Sequence, residues 1–306
     1  MLADYILLSG EIQNMVFDNF KFNMSLFSLM CLLHFPNVFS NCELSKNPDK
    51  LVIAGGSLTE IVYELEEEKK LLAVDITSNF PKAAKELPSV GYVRALSTEG
   101  LLSLTPSLIL GEQDMGPPLV LDQLELVGVD IRLIKDNFSS AGILSKVLCV
   151  SEIIGAEKAT TSNVLKSLKL NIDQLERNIF LNNNQSKKIL LILSFQGTSP
   201  IVAGKETSGH GFIRLLGAKN VMEDVRGWKP VSSEEILKKN PDYIFITKRG
   251  MSSFKNEESL GSHPSIKFTN AAKLNNVFSV DGMSMLGFGP RTIQTALEVS
   301  NKFLKK

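Results

Sequence analysis

Short apolar runs alternate with helix-period segments along this chain, and that alternation restricts its fold more than any other feature. Leu51–Ala54, Leu71–Asp75, Leu108–Leu110 and Ile131–Ile134 each have the length of a buried strand. Helical patterns separate them: one from Ser57, a short one between Pro81 and Pro88, one after Ser97-Thr98-Glu99 that ends before Pro106, and one over Leu119–Leu126. Ser57 with Glu60 at the third helical position reads as a capping box. Strands joined by helical crossovers pair in parallel and need cover on both faces, so residues 42–139 read as one α/β lobe.

No strand signal follows between Ser140 and Asn182. Ile143, Val147, Val150 and Ile154 repeat at helical spacing, Gly155 interrupts, and Val164, Leu165, Leu168, Ile172 and Leu175 resume the pattern. Such a segment, 140–185, serves as a stiff connector between two lobes or as a kinked surface helix. Ile189–Ser194 opens a second alternating unit, which closes with a strand at Val277–Val280 and a helix from Thr292 to Leu304. The two units echo each other. Leu96–Leu102, Pro106 and Leu108–Leu110 align without a gap on Val231–Leu237, Pro241 and Tyr243–Phe245. The expected fold is therefore α/β, with two Rossmann-like lobes (42–139 and 186–306) of mostly parallel sheet joined by a long linker helix.

Composition narrows the function. The 33 basic and 33 acidic residues cancel, which argues against a nucleic-acid binder. An apolar content of 43% is that of a packed protein rather than a disordered one. The strand, Gly55-Gly56 turn and helix lack a phosphate-binding fingerprint, and neither a G-x-S-x-G elbow nor a His-Asp-nucleophile set is present, so an enzyme is not expected. Cys31, Cys42 and Cys149 show neither metal-ligand spacing nor a disulfide framework.

The first 41 residues read as a leader. The apolar run Met24–Phe35 has the length of a signal-peptide core, and Met24 is an alternative start. Phe39-Ser40-Asn41-Cys42 is similar to a relaxed bacterial lipobox, which offers Cys42 for lipidation and leaves Cys149 as a lone thiol.

Two stretches carry candidate chemistry. In Val90–Gly100, Tyr92 and Arg94 would share a face if the segment were extended. A phenolate can hold ferric haem iron, and an Arg fork suits a haem propionate. On spacing alone, a Tyr after Gly at a strand end is more often half-buried packing with its hydroxyl satisfied. The loop Asp281–Thr292 offers Met285 and Phe288 as an apolar pocket wall or as core at the sheet edge.

Four motifs together resemble a known family: Ala54–Glu60, Val90–Gly100, Ile201–Lys205 and Leu286–Thr292. The chain is similar to the haem-binding proteins of bacterial haem ABC importers, within the helix-linked (class III) periplasmic binding proteins that also serve siderophores and cobalamin. The resemblance implies haem as the transported ligand, a periplasmic location, Tyr92 as axial iron ligand and Arg94 on a propionate. It also implies that Glu99 and Glu234 meet arginines of the permease, which works with an ATPase subunit. Some relatives add a His from the second lobe near Ser194–Gly197. Phe195 stands there in this sequence, which leaves His210 as the second-lobe candidate for iron or as a solvent-facing residue at a helix start. Arg291, in the Gly-Phe-Gly-Pro-Arg-Thr motif, joins the expected ligand-binding set. The alternative ligand of the same fold is a ferric siderophore or cobalamin.

Overall fold

The computed structural model describes residues 42–304, so the leader read over 1–41 lies outside the described residues. The first lobe comprises β1 (Leu51–Ala54), α1 (Gly56–Glu64), β2 (Leu71–Val74), α2 (Thr98–Leu102), β3 (Leu108–Glu112), α3 (Pro118–Leu126) and β4 (Asp130–Ile134). Its sheet has the order β2-β1-β3-β4 and is parallel throughout. All four residues of β1 are buried, because helices cover a central parallel strand on both faces.

Two helices follow, α4 (Ser140–Ile154) and α5 (Lys158–Leu181). The Ile143, Val147, Val150, Ile154 repeat is fully buried along α4. Gly155 ends that helix in the left-handed conformation at φ 65°, which favours glycine and forces the break.

The second lobe comprises β5 (Lys188–Gln196), β6 (Ser199–Ala203), α6 (Ser208–Leu215), β7 (Lys219–Asn220), β8 (Trp228–Pro230), α7 (Ser233–Lys239), β9 (Tyr243–Thr247), α8 (Lys248–Met251), α9 (Glu257–Gly261), α10 (Asn270–Lys273), β10 (Val277–Val280), α11 (Gly282–Leu286) and α12 (Pro290–Leu304). Its sheet is mixed, in the order β10-β9-β5-β6-β8. β5 pairs in parallel with β9 and β7, and β6 runs antiparallel to both β5 and β8. The hairpin was not legible in the sequence, because β5 continues past its apolar run through Ser194 and the half-buried Phe195 to the exposed Gln196. The echo between the lobes is structural: α2 and α7 each start at a serine, Ser97 and Ser232, whose side chain accepts a hydrogen bond from the helix backbone.

Three expectations are corrected. Ser57 and Glu60 do not form a capping box. The helix begins at Gly56 with Gly55 as a cap that offers no side chain, and both residues turn to partners elsewhere. The loop read over Asp281–Thr292 contains α11, capped by the Asp281 carboxylate. The third correction concerns Cys42 and Cys149, which are joined in a disulfide across 107 positions. The chain before β1 runs back along the end of α4, where Ser45 N–H donates to the Ile153 carbonyl at 2.9 Å. Ser45 Oγ also donates to Asp130 at 2.9 Å. A sulfur held in a disulfide has no valence left for a thioether, so Cys42 is not a lipid attachment point in this form, nor is Cys149 a lone thiol.

Candidate ligand-binding site

The carboxyl ends of the two sheets face each other. α1 leaves the end of β1, α11 leaves the end of β10, and the two meet. A Cβ added to Gly56 would touch Met283 Cε at 3.0 Å, and one on Gly289 would touch Ser57 Cβ at 3.1 Å. Ligands in open α/β sheets bind outside the carboxyl ends of strands, so the groove between these ends is the candidate site.

Tyr92 stands at this end of the first lobe. Residues 88–91 run alongside β2, with Val90 N–H donating to the Val74 carbonyl and Ile76 N–H to the Gly91 carbonyl, both at 2.9 Å. The chain then leaves the sheet in a turn closed by Ala95 N–H on the Tyr92 carbonyl at 2.8 Å. Tyr92 and Arg94 are thus brought together by a turn and not by the extended segment expected. Val93 points inward at 6% exposure, while Tyr92 is 40% exposed. Two hydrogen bonds fasten the loop across the sheet end: Gly116 N–H donates to Val93 and Leu96 N–H to Gly116, both at 3.0 Å. A turn held this firmly presents its phenol with little entropy left to lose on binding.

The Arg94 guanidinium lies 6.0 Å from the centre of the Tyr92 ring. Its Nε donates to Asp114 Oδ2 at 2.6 Å, and Nη2 approaches the same oxygen. This hydrogen bond is the main reason the Arg94 pKa is raised. The sequence reading missed Asp114, because an acid 20 positions away carries no local signal. Behind it, Ser57 Oγ donates to Glu112 Oε1 at 2.6 Å, and the buried Lys146 on α4 donates to Ser57 Oγ at 3.2 Å and to the Gly287 carbonyl at 3.3 Å. The Glu112 side chain packs against Gly55, where an added Cβ would come within 2.7 Å of Glu112 Cγ. Lys146 therefore bridges the first lobe to the segment that enters α12.

Burial is the largest influence on the Glu112 carboxyl and raises its pKa, against the downward pull of Lys146 and the Ser57 hydroxyl. The native state then holds this proton more tightly than the unfolded chain does, so its contribution to stability falls as pH rises from the ordinary Glu value of about 4.3 through the raised one. Glu112→Gln, which still accepts from Ser57, is expected to remove that part of the slope. Urea midpoints of both proteins across this range measure it, and an unchanged slope would contradict the assignment.

The remaining predicted residues divide. Glu99 on α2 and Glu234 on α7 are both exposed in the first turn of their helices, at equivalent places in the two lobes. Phe195 is half-buried and packs on Phe254 and His263. His210 lies at the start of α6 with Nδ1 3.1 Å from the Asn220 amide nitrogen, which also donates to the Ala203 carbonyl. Burial lowers the His210 pKa and keeps the ring neutral. Met285 and Phe288 are not pocket wall: at 0% and 1% exposure they belong to the core, where Phe288 meets Phe138 at 5.2 Å. The half-buried Met283 lies against Gly56 instead, where α1 and α11 meet. Arg291 does not reach into open cleft either. Its Nη2 donates to the buried Glu60 at 2.5 Å, and its guanidinium lies 3.9 Å from the Phe80 ring centre. Among the described residues no group of His, Cys, Asp and Glu could hold a bare metal ion.

A family model described as "Periplasmic binding protein" matches residues 51–282. The chain belongs to the periplasmic binding protein family. That family consists of substrate-binding transport proteins, and the two facing lobes described above are its fold. Among curated relatives, the chain is 27% identical over 259 residues to an uncharacterized ABC transporter substrate-binding lipoprotein, YvrC, of Bacillus subtilis, covering 84% of this chain and 80% of that one. It is 25% identical over 280 residues to the vitamin B12-binding protein of Vibrio parahaemolyticus, covering 89% and 95%. Among solved structures, it superposes with TM-score 0.78 and 28% identity on the periplasmic heme-binding protein BhuT in complex with two hemes, covering 83% of this chain and 97% of that one. A periplasmic heme-binding protein from Pseudomonas aeruginosa gives TM-score 0.76 and 30% identity, covering 85% and 94%.

Proposed function

We propose that this protein captures haem in the groove between its lobes, outside the cytoplasm, and delivers it to the permease of an ABC importer. The observation that carries the reading is the phenol of Tyr92, exposed on a fastened turn at the cleft end of the first sheet with the Arg94 guanidinium beside its ring. A phenolate oxygen is a hard anionic ligand suited to ferric haem iron. The Arg94 N–H groups not turned to Asp114 suit a propionate, and the Arg94–Asp114 pair sets the direction of the fork. The names of the structural neighbours agree with this cargo. Glu99 and Glu234, one on each lobe, would meet the arginines of the permease, whose ATPase partner drives release.

Mixing purified protein with hemin is expected to shift the Soret band, and Tyr92→Phe to weaken binding by about two orders of magnitude, equivalent to about 2.7 kcal/mol. A second reading, cobalamin as cargo, is favoured by the near full-length match to the vitamin B12-binding protein. A wild type that leaves the hemin spectrum unchanged but binds cyanocobalamin would select it.

A further inference from the structure

Three half-buried rings from separate segments converge at the cleft end of the second lobe. Phe195 and Phe254 meet at 5.0 Å, Phe195 and His263 at 5.0 Å, and Phe254 and His263 at 5.6 Å, all edge-on. Their place follows from the strands. Thr247, the last residue of β9, donates through Oγ1 to the Leu193 carbonyl at 2.7 Å, so Phe195 lies beyond the level at which β9 stops. Phe254 follows α8, which leaves that same end of β9. His263 follows α9 and is tied to the β5–β6 turn, since Ser265 Oγ donates to the Thr198 carbonyl at 3.3 Å. Ser265 Oγ also takes a hydrogen bond of 3.1 Å from Ser233, the residue before Glu234.

The imidazole has a defined proton arrangement. Ser265 N–H donates to His263 Nδ1 at 3.2 Å, which occupies the Nδ1 lone pair and puts the ring proton on Nε2. Burial lowers the His263 pKa, so the ring is neutral near pH 7. Nε2 has no partner among the described residues. An imidazole held this way offers an N–H donor, whereas an iron ligand must offer a lone pair. A donor beside two aromatic rings fits a ligand that is a flat apolar ring with anionic oxygens at its edge.

We propose that His263 is a ligand-positioning residue: it donates Nε2–H to a carboxylate of the haem bound in the cleft, from an aromatic platform formed with Phe195 and Phe254. This rests on the haem reading above and assigns the second lobe's polar contact to a segment 68 positions after Phe195, where no local motif points to it.

The test compares hemin with its dimethyl ester, which keeps the ring and the iron and loses the anionic oxygens. His263→Ala is expected to weaken hemin about tenfold, as loss of a hydrogen bond to a charged group does, and to leave affinity for the ester unchanged. His263→Gln, which keeps a donor but cannot replace an imidazole on iron, is expected to restore most of the hemin affinity. The Soret band should keep its wild-type position in every complex, because Tyr92 still holds the iron. Equal hemin affinity of wild type and His263→Ala overturns the proposal. So does an equal loss for the ester, or a Soret band that moves when His263 is removed, since that would place the imidazole on the metal. If folded wild type binds no hemin at all, the cargo reading falls with it, whereas wild-type binding that ignores His263 overturns this inference alone.

Discussion

Arg291→Met is expected to lower the unfolding free energy by about 3–5 kcal/mol at pH 7, the usual result of stranding one member of a buried ion pair. Glu60, on α1 of the first lobe, is 3% exposed, and its carboxylate accepts from Arg291 on α12 at 2.5 Å. The pair ties the first lobe to the closing helix. Burial raises the Glu60 pKa, and the hydrogen bond and charge of Arg291 oppose that rise. Without Arg291 the rise is unopposed, so Glu60 takes up a proton more readily in the native state. The penalty should therefore shrink as pH falls, because a protonated Glu60 no longer needs a countercharge. The double variant Glu60→Leu with Arg291→Met should recover most of the loss. Urea unfolding at pH 7 and pH 5 measures all of this, and a loss below about 1 kcal/mol for the single variant, within the range of an exposed pair, would show that the clasp is not buried in solution.

Cys149→Ser is expected to cost a further class of stability, the entropy withheld from the unfolded chain. The disulfide to Cys42 spans 107 positions, and closing a loop of about 100 residues is worth about 4.7 kcal/mol in the chain-entropy model, with about 2–5 kcal/mol usually measured. The same bond holds the segment before β1 against α4, so its loss also frees Ser45 from Ile153 and Asp130. A reductant added to the wild type should lower the urea midpoint to that of Cys149→Ser. A midpoint indifferent to reductant would mean that the two sulfurs are apart in the protein as exported.

How much of this was legible in advance differs by residue. Ile143, Val147, Val150 and Ile154 announced α4 because a helix buries every third or fourth residue, and that spacing is written in the chain itself. Ser97 and Ser232 likewise revealed two matched helix starts, since a cap acts on backbone three residues away. Ser57 and Glu60 misled for the same reason. Their spacing satisfied a local rule, but Glu112 and Arg291, 55 and 231 positions distant, claimed their side chains. Met285 and Phe288 looked available for a ligand because the glycines around them suggested loop; α11 turns Met285 into the core, and Phe288, between α11 and α12, is buried against Phe138.

The sequence by itself determined the alternating elements, the two-lobed plan and the phenol and guanidinium of Tyr92 and Arg94, all of which depend on neighbours within a few residues. Only the tertiary structure decided that Arg94 faces Asp114, that Arg291 clasps Glu60, that Cys42 meets Cys149 and that His263 joins Phe195. Each of those pairings rests on distance through space, and folding brings together residues whose separation along the chain gives no hint of it.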